Sequence, residues 1–181
     1  MGSLVLTGDT SGSVTVAVPA VAGTNTATFP AATGTVMVAG NMPAFSAYRS
    51  GTNQSFSSAT FTKVQCQTED FDTNSNYDNA TNYRFTPTVA GYYQVSASVS
   101  LQGSATCSRY FATIYKNGSE YIRFSDFSGA SVGYSSQGSC LVYCNGSTDY
   151  IELYVYASGT SLIAAFGLNQ TNFQACLVRG A

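Results

Sequence analysis

Short runs of Val, Thr, Tyr, Phe and Ile recur along this chain of 181 residues, separated by Gly, Asn and Ser. Many of these runs alternate apolar and polar residues as half-buried strands do, whereas Ala, Leu, Glu and Lys at the helical period are missing. Asn117-Gly118 lies between two alternating runs and is the strongest short hairpin signal; Asn145-Gly146 repeats it with a longer loop. The pattern predicts an all-β fold, a jelly-roll β-sandwich of about eight to ten antiparallel strands.

The alternation also predicts which side chains face the core. Alternate positions from Val95 to Leu101 share one apolar face, and the aliphatic residues from Ile151 to Val155 should do the same. Tyr150, Tyr154 and Tyr156, which alternate with the aliphatic residues of the second run, should then point outward. An outward tyrosine stripe is typical of an interface, because the ring has an apolar body and a polar tip. We predict an interface between copies of the chain at Tyr93, Tyr150, Tyr154 and Tyr156.

Charged residues are scarce, at 9% of the chain with a net charge of -2. The seven basic residues are scattered through the sequence, whereas binding to phosphates needs them clustered. Nucleic acid is therefore excluded as a predicted partner. No apolar run reaches the length of about 18 residues that crosses a membrane, so no membrane insertion is predicted.

Residues 1–41 differ in composition from the rest, because they contain no Tyr or Cys and Asp9 is their only charged residue. Val14, Val16 and Val18 alternate with small residues in this segment. Strands of this kind are too slight to bury a core within one chain, and the segment makes sense if several copies wrap together. We predict a β-rich stem or connector in residues 1–41 and a globular head in residues 42–181.

A polar loop follows the second strand of the head and is rich in carboxylates and amides. Hard oxygen ligands of this kind are those that calcium prefers, but their spacing is not that of a dedicated calcium loop. A solvated loop without metal is the alternative. No cofactor is expected to be required, and calcium is the one ligand considered, at Glu69, Asp70, Asp72 and Asp78.

The chain contains no histidine, which removes the Ser-His-Asp and Cys-His arrangements of nucleophilic catalysis. Three Glu and six Asp residues are the available carboxylates, and Glu152 is the one that lies on a tyrosine-rich strand. Nothing in the sequence pairs it with a second catalytic carboxylate. We predict that the protein is not an enzyme.

Five cysteines cannot all pair within one chain. Cys140 and Cys144 would lie on one face of a strand, too far apart to bond each other. We interpret the cysteines as small buried apolar residues of a protein made in a reducing compartment.

Motifs spread over residues 43–178 resemble the complement C1q-like globular head, a family that shares its fold with the tumour necrosis factor superfamily. The resemblance implies a jelly roll that packs as a homotrimer with aromatic residues near the three-fold axis. It also implies that Phe85 and Tyr93 are inward anchors on strands joined by a corner, where Gly91 allows a positive φ or a close backbone approach. The matching residues are Phe45, Phe61, Val64, Tyr77-Asp78, Phe85-Thr86, Val89, Gly91, Tyr93, Lys116-Asn117-Gly118 and the final "NFQACLV".

The N-terminal segment is similar to low-complexity β segments of bacteriophage tail-fibre proteins, whose tips can carry heads of this family. The combination implies a virion appendage, made in the host bacterial cytoplasm, whose stem contacts other virion proteins and whose head binds a host glycan or protein. A capsid or tail decoration protein that stabilises the particle is the alternative, and a glycan hydrolase is the least favoured. The residues predicted to contact a receptor are Phe71, Tyr77, Phe127 and Tyr134.

Overall fold

The computed structural model describes residues 3–28, 31, 33–34, 36–102, 106–129 and 133–181. The chain divides into two units, Met1–Gly34 and Thr35–Ala181, which are described separately. In the described part of the chain, no helix has the length and apolar character needed to span a bilayer.

Unit 1 contains one antiparallel hairpin, formed by β1 (Ser3–Thr7) and β2 (Ser13–Ala17). The Gly8 amide donates a hydrogen bond of 3.0 Å to the Gly12 carbonyl and closes the turn. Every described residue of unit 1 is exposed. The hairpin therefore has no core of its own.

Unit 2 is a β-sandwich preceded by a short 3-10 turn at Ala39–Asn41. Its described residues form fourteen strands, of which five are only two residues long, so nine longer strands match the predicted eight to ten. The strands are β3 (Ala44–Tyr48), β4 (Gln54–Ser55), β5 (Thr60–Lys63), β6 (Thr68–Asp72), β7 (Tyr77–Asp78), β8 (Arg84–Phe85), β9 (Ala90–Gln102), β10 (Cys107–Lys116), β11 (Ser119–Arg123), β12 (Phe127–Ser128), β13 (Ser135–Asn145), β14 (Ile151–Gly159), β15 (Ile163–Ala164) and β16 (Asn172–Gly180).

Two antiparallel sheets make up the sandwich. Sheet 1 has the order β6-β3-β16-β9-β13, and β15 and β4 extend it beside the end of β9. Sheet 2 has the order β11-β10-β14-β8-β7, with β12 also paired to β10 and β5 also paired to β14. Strands distant in sequence thus lie side by side in both sheets, as the predicted jelly roll requires.

The core lies between the sheets and follows the predicted alternation. Val95, Ala97, Val99 and Leu101 on β9 are all buried. Ile151, Leu153 and Val155 face them from β14 and are fully buried. These aliphatic predictions are confirmed.

Stacked aromatic rings fill one end of the core around Phe45. Its ring lies 4.6 Å from that of Phe85, 4.7 Å from that of Tyr77 and 5.0 Å from that of Phe173. Tyr93 packs edge-on against Phe85 at 5.5 Å and donates a hydrogen bond of 2.6 Å to the Val89 carbonyl. Phe85 and Tyr93 are therefore the inward anchors that the resemblance implied.

The glycine at the start of β9 allows a close approach of two strands. A Cβ added to Gly91 would lie 2.6 Å from Leu177 Cδ1 and 3.2 Å from the carbonyl carbon of Arg179 on β16. Gly91 is not among the residues with positive φ. Of the two roles predicted for this glycine, close packing is the one that the structure has.

The two Asn-Gly turns differ in what they connect. Asn117-Gly118 joins β10 to β11 in a tight hairpin in which Lys116 pairs with Ser119, as predicted. Asn145-Gly146 does not close a second hairpin, because β13 pairs with β9 in sheet 1 and β14 pairs with β10 in sheet 2. The Asn145 side-chain oxygen accepts hydrogen bonds from the amides of residues 147–149, which turns the chain from one sheet to the other.

Candidate functional site

The outer face of sheet 1 is poor in charge across its central strands, whereas the edge strand β6 carries Glu69, Asp70 and Asp72. The sequences of β3, β9 and β13 contain no Asp, Glu, Lys or Arg, and β16 contributes only Arg179 near its end. On β9 the core-facing positions have odd numbers, so Tyr92, Gln94, Ser96 and Ser98 point outward. A face so poor in charge resembles the centre of a protein interface more than an ordinary surface.

Apolar side chains are concentrated at one end of this face. The rings of Tyr92 and Tyr143, which are paired across β9 and β13, lie 5.5 Å apart. They are 44% and 41% exposed, and Leu141 beside them is 56% exposed. Phe71 on β6 and Val178 on β16 are also exposed on the described surface. Interfaces commonly cover large side chains of this kind.

Hydroxyl and amide groups replace the apolar side chains further along β9. They line a shallow cavity of about 540 Å³ on the outer face of sheet 1. A smaller cavity of about 200 Å³ lies between Phe71, Gln94 and Cys176. The larger cavity is lined mainly by Ser96, Ser98, Gln137, Ser139, Asn172 and Gln174.

The outer face of sheet 2 has the opposite character, because its aromatic rings are stacked on one another and covered by cations. The rings of Tyr115 and Tyr154 are stacked at 4.0 Å, and those of Phe111 and Tyr156 at 5.1 Å. The Arg123 guanidinium lies 3.9 Å from the centre of the Phe111 ring. Cation–π contacts of this kind stabilise aromatic rings at a surface through groups of the same chain.

Ion pairs hold those cations in place. Arg109 Nη2 lies 2.6 Å from Asp126 Oδ2, and Arg123 pairs with both Glu120 and Asp126. The hydrogen bond from Arg109 lowers the pKa of Asp126. On the same sheet, Lys63 Nζ lies 2.5 Å from the buried Glu152 carboxylate, so the strand carboxylate considered for catalysis is paired with a cation.

The four tyrosines predicted at the interface all lie away from the outer face of sheet 1. Tyr93 shares the parity of the core residues of β9 and is fully buried, so it has the predicted role of inward anchor and does not present its ring at an outer face. Tyr154 and Tyr156 lie in the ring stacks of sheet 2, and Tyr150 lies under the Arg84 guanidinium at 4.5 Å. Contacts within the chain already cover these three rings in part.

Sequence reasoning missed Tyr92 and Tyr143, which the structure brings together on the face of sheet 1. The signal was present in the alternation of β9, since an inward Val95 makes Tyr93 inward and Tyr92 outward. For Tyr143 the equivalent signal was Cys140 and Cys144, which are buried while Leu141 and Tyr143 are exposed.

The predicted receptor contacts are separated by the fold. Tyr77 is only 6% exposed, and its hydroxyl donates to the Cys66 carbonyl, so it is a core residue and this prediction is wrong. Phe127 and Tyr134 lie together with ring centres 5.1 Å apart. Phe71 lies on β6, at the edge of sheet 1 opposite β13.

The acidic loop does not form the predicted calcium site within one chain. In the described part of the chain, no three Asp, Glu, Cys or His residues are grouped so that they could hold a metal ion. Asp72 accepts hydrogen bonds from the amides of Asn74 and Tyr77, and Asp78 accepts from those of Ala80, Thr81 and Asn82. These two carboxylates organise turns of the backbone.

Four of the five cysteines are buried, and Cys176 is exposed on sheet 1. Burial raises the pKa of Cys66 to about 12, and those of Cys140 and Cys144 to about 11. The thiols of Cys66, Cys140 and Cys144 are therefore weak nucleophiles at neutral pH. Their environment agrees with the role predicted for them as small apolar residues.

No protein-family model matches the chain, and no curated protein matches it. Solved structures do match. Murine APRIL has a TM-score of 0.57 at 11% identity, with 76% of this chain and 99% of APRIL covered. The globular domain of zebrafish complement 1qA has a TM-score of 0.54 at 21% identity, with 77% and 98% covered. Eiger TNF from S. frugiperda has a TM-score of 0.58 at 7% identity, with 78% and 95% covered. At these identities the likeness shows the fold, which is the one that the sequence motifs implied.

Proposed function

We propose that the chain is a non-enzymatic homotrimeric head with the start of a stem, and that it forms the tip of a bacteriophage fibre or tail and binds a host surface receptor. The observation that carries the proposal is the outer face of sheet 1, where Tyr92, Leu141 and Tyr143 are exposed on two strands, β9 and β13, that contain no charged residue. A surface of this kind is stable in water when copies of the chain cover one another.

A closed three-fold ring needs two different surfaces on each copy, because its contacts are heterologous. The first is the face patch, which consists of Phe71, Tyr92, Cys176 and Val178 on sheet 1. The second is the edge patch, which consists of Tyr121, Ile122 and Leu141. These three are exposed, and the Tyr121 hydroxyl lies 3.5 Å from the Leu141 carbonyl, so β11 and β13 meet at one edge of the sandwich. We place the edge patch of one copy against the face patch of the next.

Receptor binding would then fall to surfaces that the trimer leaves open. The Phe127–Tyr134 pair is the best remaining candidate among the predicted contacts, since Tyr134 is 42% exposed and the two rings touch. Aromatic rings of this kind stack on sugars, and three weak sites on one tip give avidity without a tight single site. The ligand class that fits is a surface saccharide.

Binding of the purified protein to susceptible bacterial cells tests this proposal. We expect labelled protein to bind intact cells and to lose binding on cells whose surface polysaccharide is truncated. Tyr134→Ala should weaken binding, whereas Phe61→Ala, at a site of similar exposure on sheet 2, should not.

Both variants are first checked for unchanged oligomeric state. Equal binding to both kinds of cell would reject a saccharide receptor. Failure to bind any susceptible cell would reject attachment and favour the decoration role, in which removing the protein changes particle stability and leaves host range unchanged.

A further inference from the structure

The β1–β2 hairpin of unit 1 has one apolar face and one polar face. Its register pairs Leu4 with Val16 and Leu6 with Val14, so these four side chains lie on the same side. The opposite side carries Ser3, Thr7, Ser13, Thr15 and Ala17, with Val5 as its one large aliphatic residue.

The apolar face is uncovered within the chain. Leu4, Leu6, Val14 and Val16 are 50–65% exposed, although in a folded protein such residues are usually buried. A two-stranded hairpin is marginally stable by itself in water. The face therefore needs a partner before the hairpin can persist.

We propose that the partner is the same face of the other two copies, so that three hairpins close into a small three-fold clasp with their aliphatic side chains inside. This inference rests on the proposed trimer. It adds that the stem makes its own interface through one defined face of β1 and β2, and does not present that face to another virion protein.

Three properties of the hairpin favour copies of itself as the occupant. The face carries no charge, and Asp9 lies in the turn, so like faces meet without repulsion. When three hairpins close, the face with the Ser and Thr side chains contacts water and the aliphatic face is buried. A trimeric head also holds three stems together in one assembly. Their local concentration is then on the order of millimolar, as it is for modules joined by short flexible linkers.

Thiol cross-linking of the full-length protein tests the clasp. Leu6→Cys places a thiol on the apolar face, and Val5→Cys places one on the opposite face of the same strand. With a short bis-maleimide, Leu6→Cys should give covalent dimers with one chain of each three left over, because three thiols around one axis react in pairs. Val5→Cys should give few, and the wild-type chain is the blank for its exposed Cys176.

Amide hydrogen exchange of the wild-type assembly provides the second measurement. The amides of residues 3–7 and 13–17 should exchange at least about tenfold more slowly than in Leu6→Ser/Val14→Ser, whereas Val5→Ser/Thr15→Ser on the polar face should stay close to wild type.

The mass of every variant is measured in parallel. A trimer with equal cross-linking at positions 5 and 6, or with unprotected hairpin amides, would overturn the clasp and leave the proposed head intact. A monomeric wild-type protein would overturn both.

Discussion

At the scale of single residues, Tyr92 and Tyr93 show that two successive residues of a strand have different roles, because their side chains point to opposite faces of the sheet. Tyr93 is fully buried and anchors the core against Phe85, whereas Tyr92 is 44% exposed on the outer face of sheet 1. A shift of one residue in a strand moves a side chain to the other face of its sheet. The composition of β9 could not assign these roles, but its alternation could.

Replacement of Gly91 tests the close approach of β9 and β16. Gly91→Ala should destabilise the fold by about 1–3 kcal/mol, because the new methyl would overlap Leu177 and the backbone of Arg179. Ala90→Ser adds one atom beside this approach and should have a smaller effect. Urea unfolding at fixed protein concentration measures both variants. Equal stabilities would show that the strands have room to separate.

The hydrogen bonds of Asp78 make a pH-dependent contribution to stability. Backbone donation from Thr81, with further donors on Asn82 and Ala80, lowers the pKa of Asp78 to about 2. Because this value lies below the usual value of about 3.9, the stabilisation is complete above about pH 4 and is lost as the pH falls through about 2.

Asp78→Asn should therefore cost about 1 kcal/mol at neutral pH, and the gap to wild type should close as the pH falls toward about 2. The exposed Asp70→Asn is the matched control and should change little. Urea midpoints at several pH values measure the effect. A gap that stayed constant with pH would assign it to something other than the carboxylate charge.

At the scale of elements, the two Asn-Gly sequences show what local signals can predict. Asn117 and Gly118 have φ values of 52° and 78°, which suits the tight hairpin between β10 and β11. The same dipeptide at Asn145-Gly146 joins different sheets, because β13 finds its partner in the distant β9. Turn chemistry is local and is visible in sequence, whereas strand pairing depends on the whole core.

The difference between local signals and contacts with distant strands also explains which residues of the candidate site were predicted correctly. The inward aliphatic residues of β9 and β14 followed from alternation alone. The cover over Tyr154 and Tyr156 did not, since it comes from Tyr115, Phe111 and Lys63 on other strands. The sequence thus predicts which face a strand residue takes, but not which side chains from other strands cover it.

The turn at Asn117 should be sensitive to replacement of its side chain. The side-chain nitrogen of Asn117 donates a hydrogen bond of 2.8 Å to the Asp149 carboxylate, and its side-chain oxygen accepts one of 2.9 Å from the Tyr150 backbone amide. These two bonds fasten the hairpin to the residues just before β14. Asn117→Ala should lower stability by about 1–2 kcal/mol, through these bonds and the positive φ. Ser119→Ala in the same hairpin is the control, and thermal unfolding compares them. A neutral Asn117→Ala would mean that the hairpin is held by its strands alone.

At the scale of the whole molecule, the two outer faces of the sandwich differ in how far their large side chains are covered by other parts of the chain. Sheet 2 stacks its aromatic rings and covers them with paired cations, which suits a surface in water. Sheet 1 leaves Tyr92, Leu141 and Tyr143 exposed on strands without charge. This asymmetry is the physical basis of the proposed trimer.

A charge placed on each face distinguishes them. Leu141→Glu, in the edge patch at 56% exposure, should dissociate the assembly at micromolar concentration, because each interface would bury an unpaired carboxylate at a cost of about 3–5 kcal/mol. Phe61→Glu, at 39% exposure on the sheet that carries the cations, should keep the assembly. Sedimentation velocity reports both. If both variants stayed associated, the face of sheet 1 would not be the interface.

Sedimentation equilibrium of the wild-type protein over a range of micromolar concentrations measures the assembly itself. We expect a single species of three times the 19.0 kDa chain mass. A folded species of one chain mass, with the strand content of the sandwich intact, would contradict it.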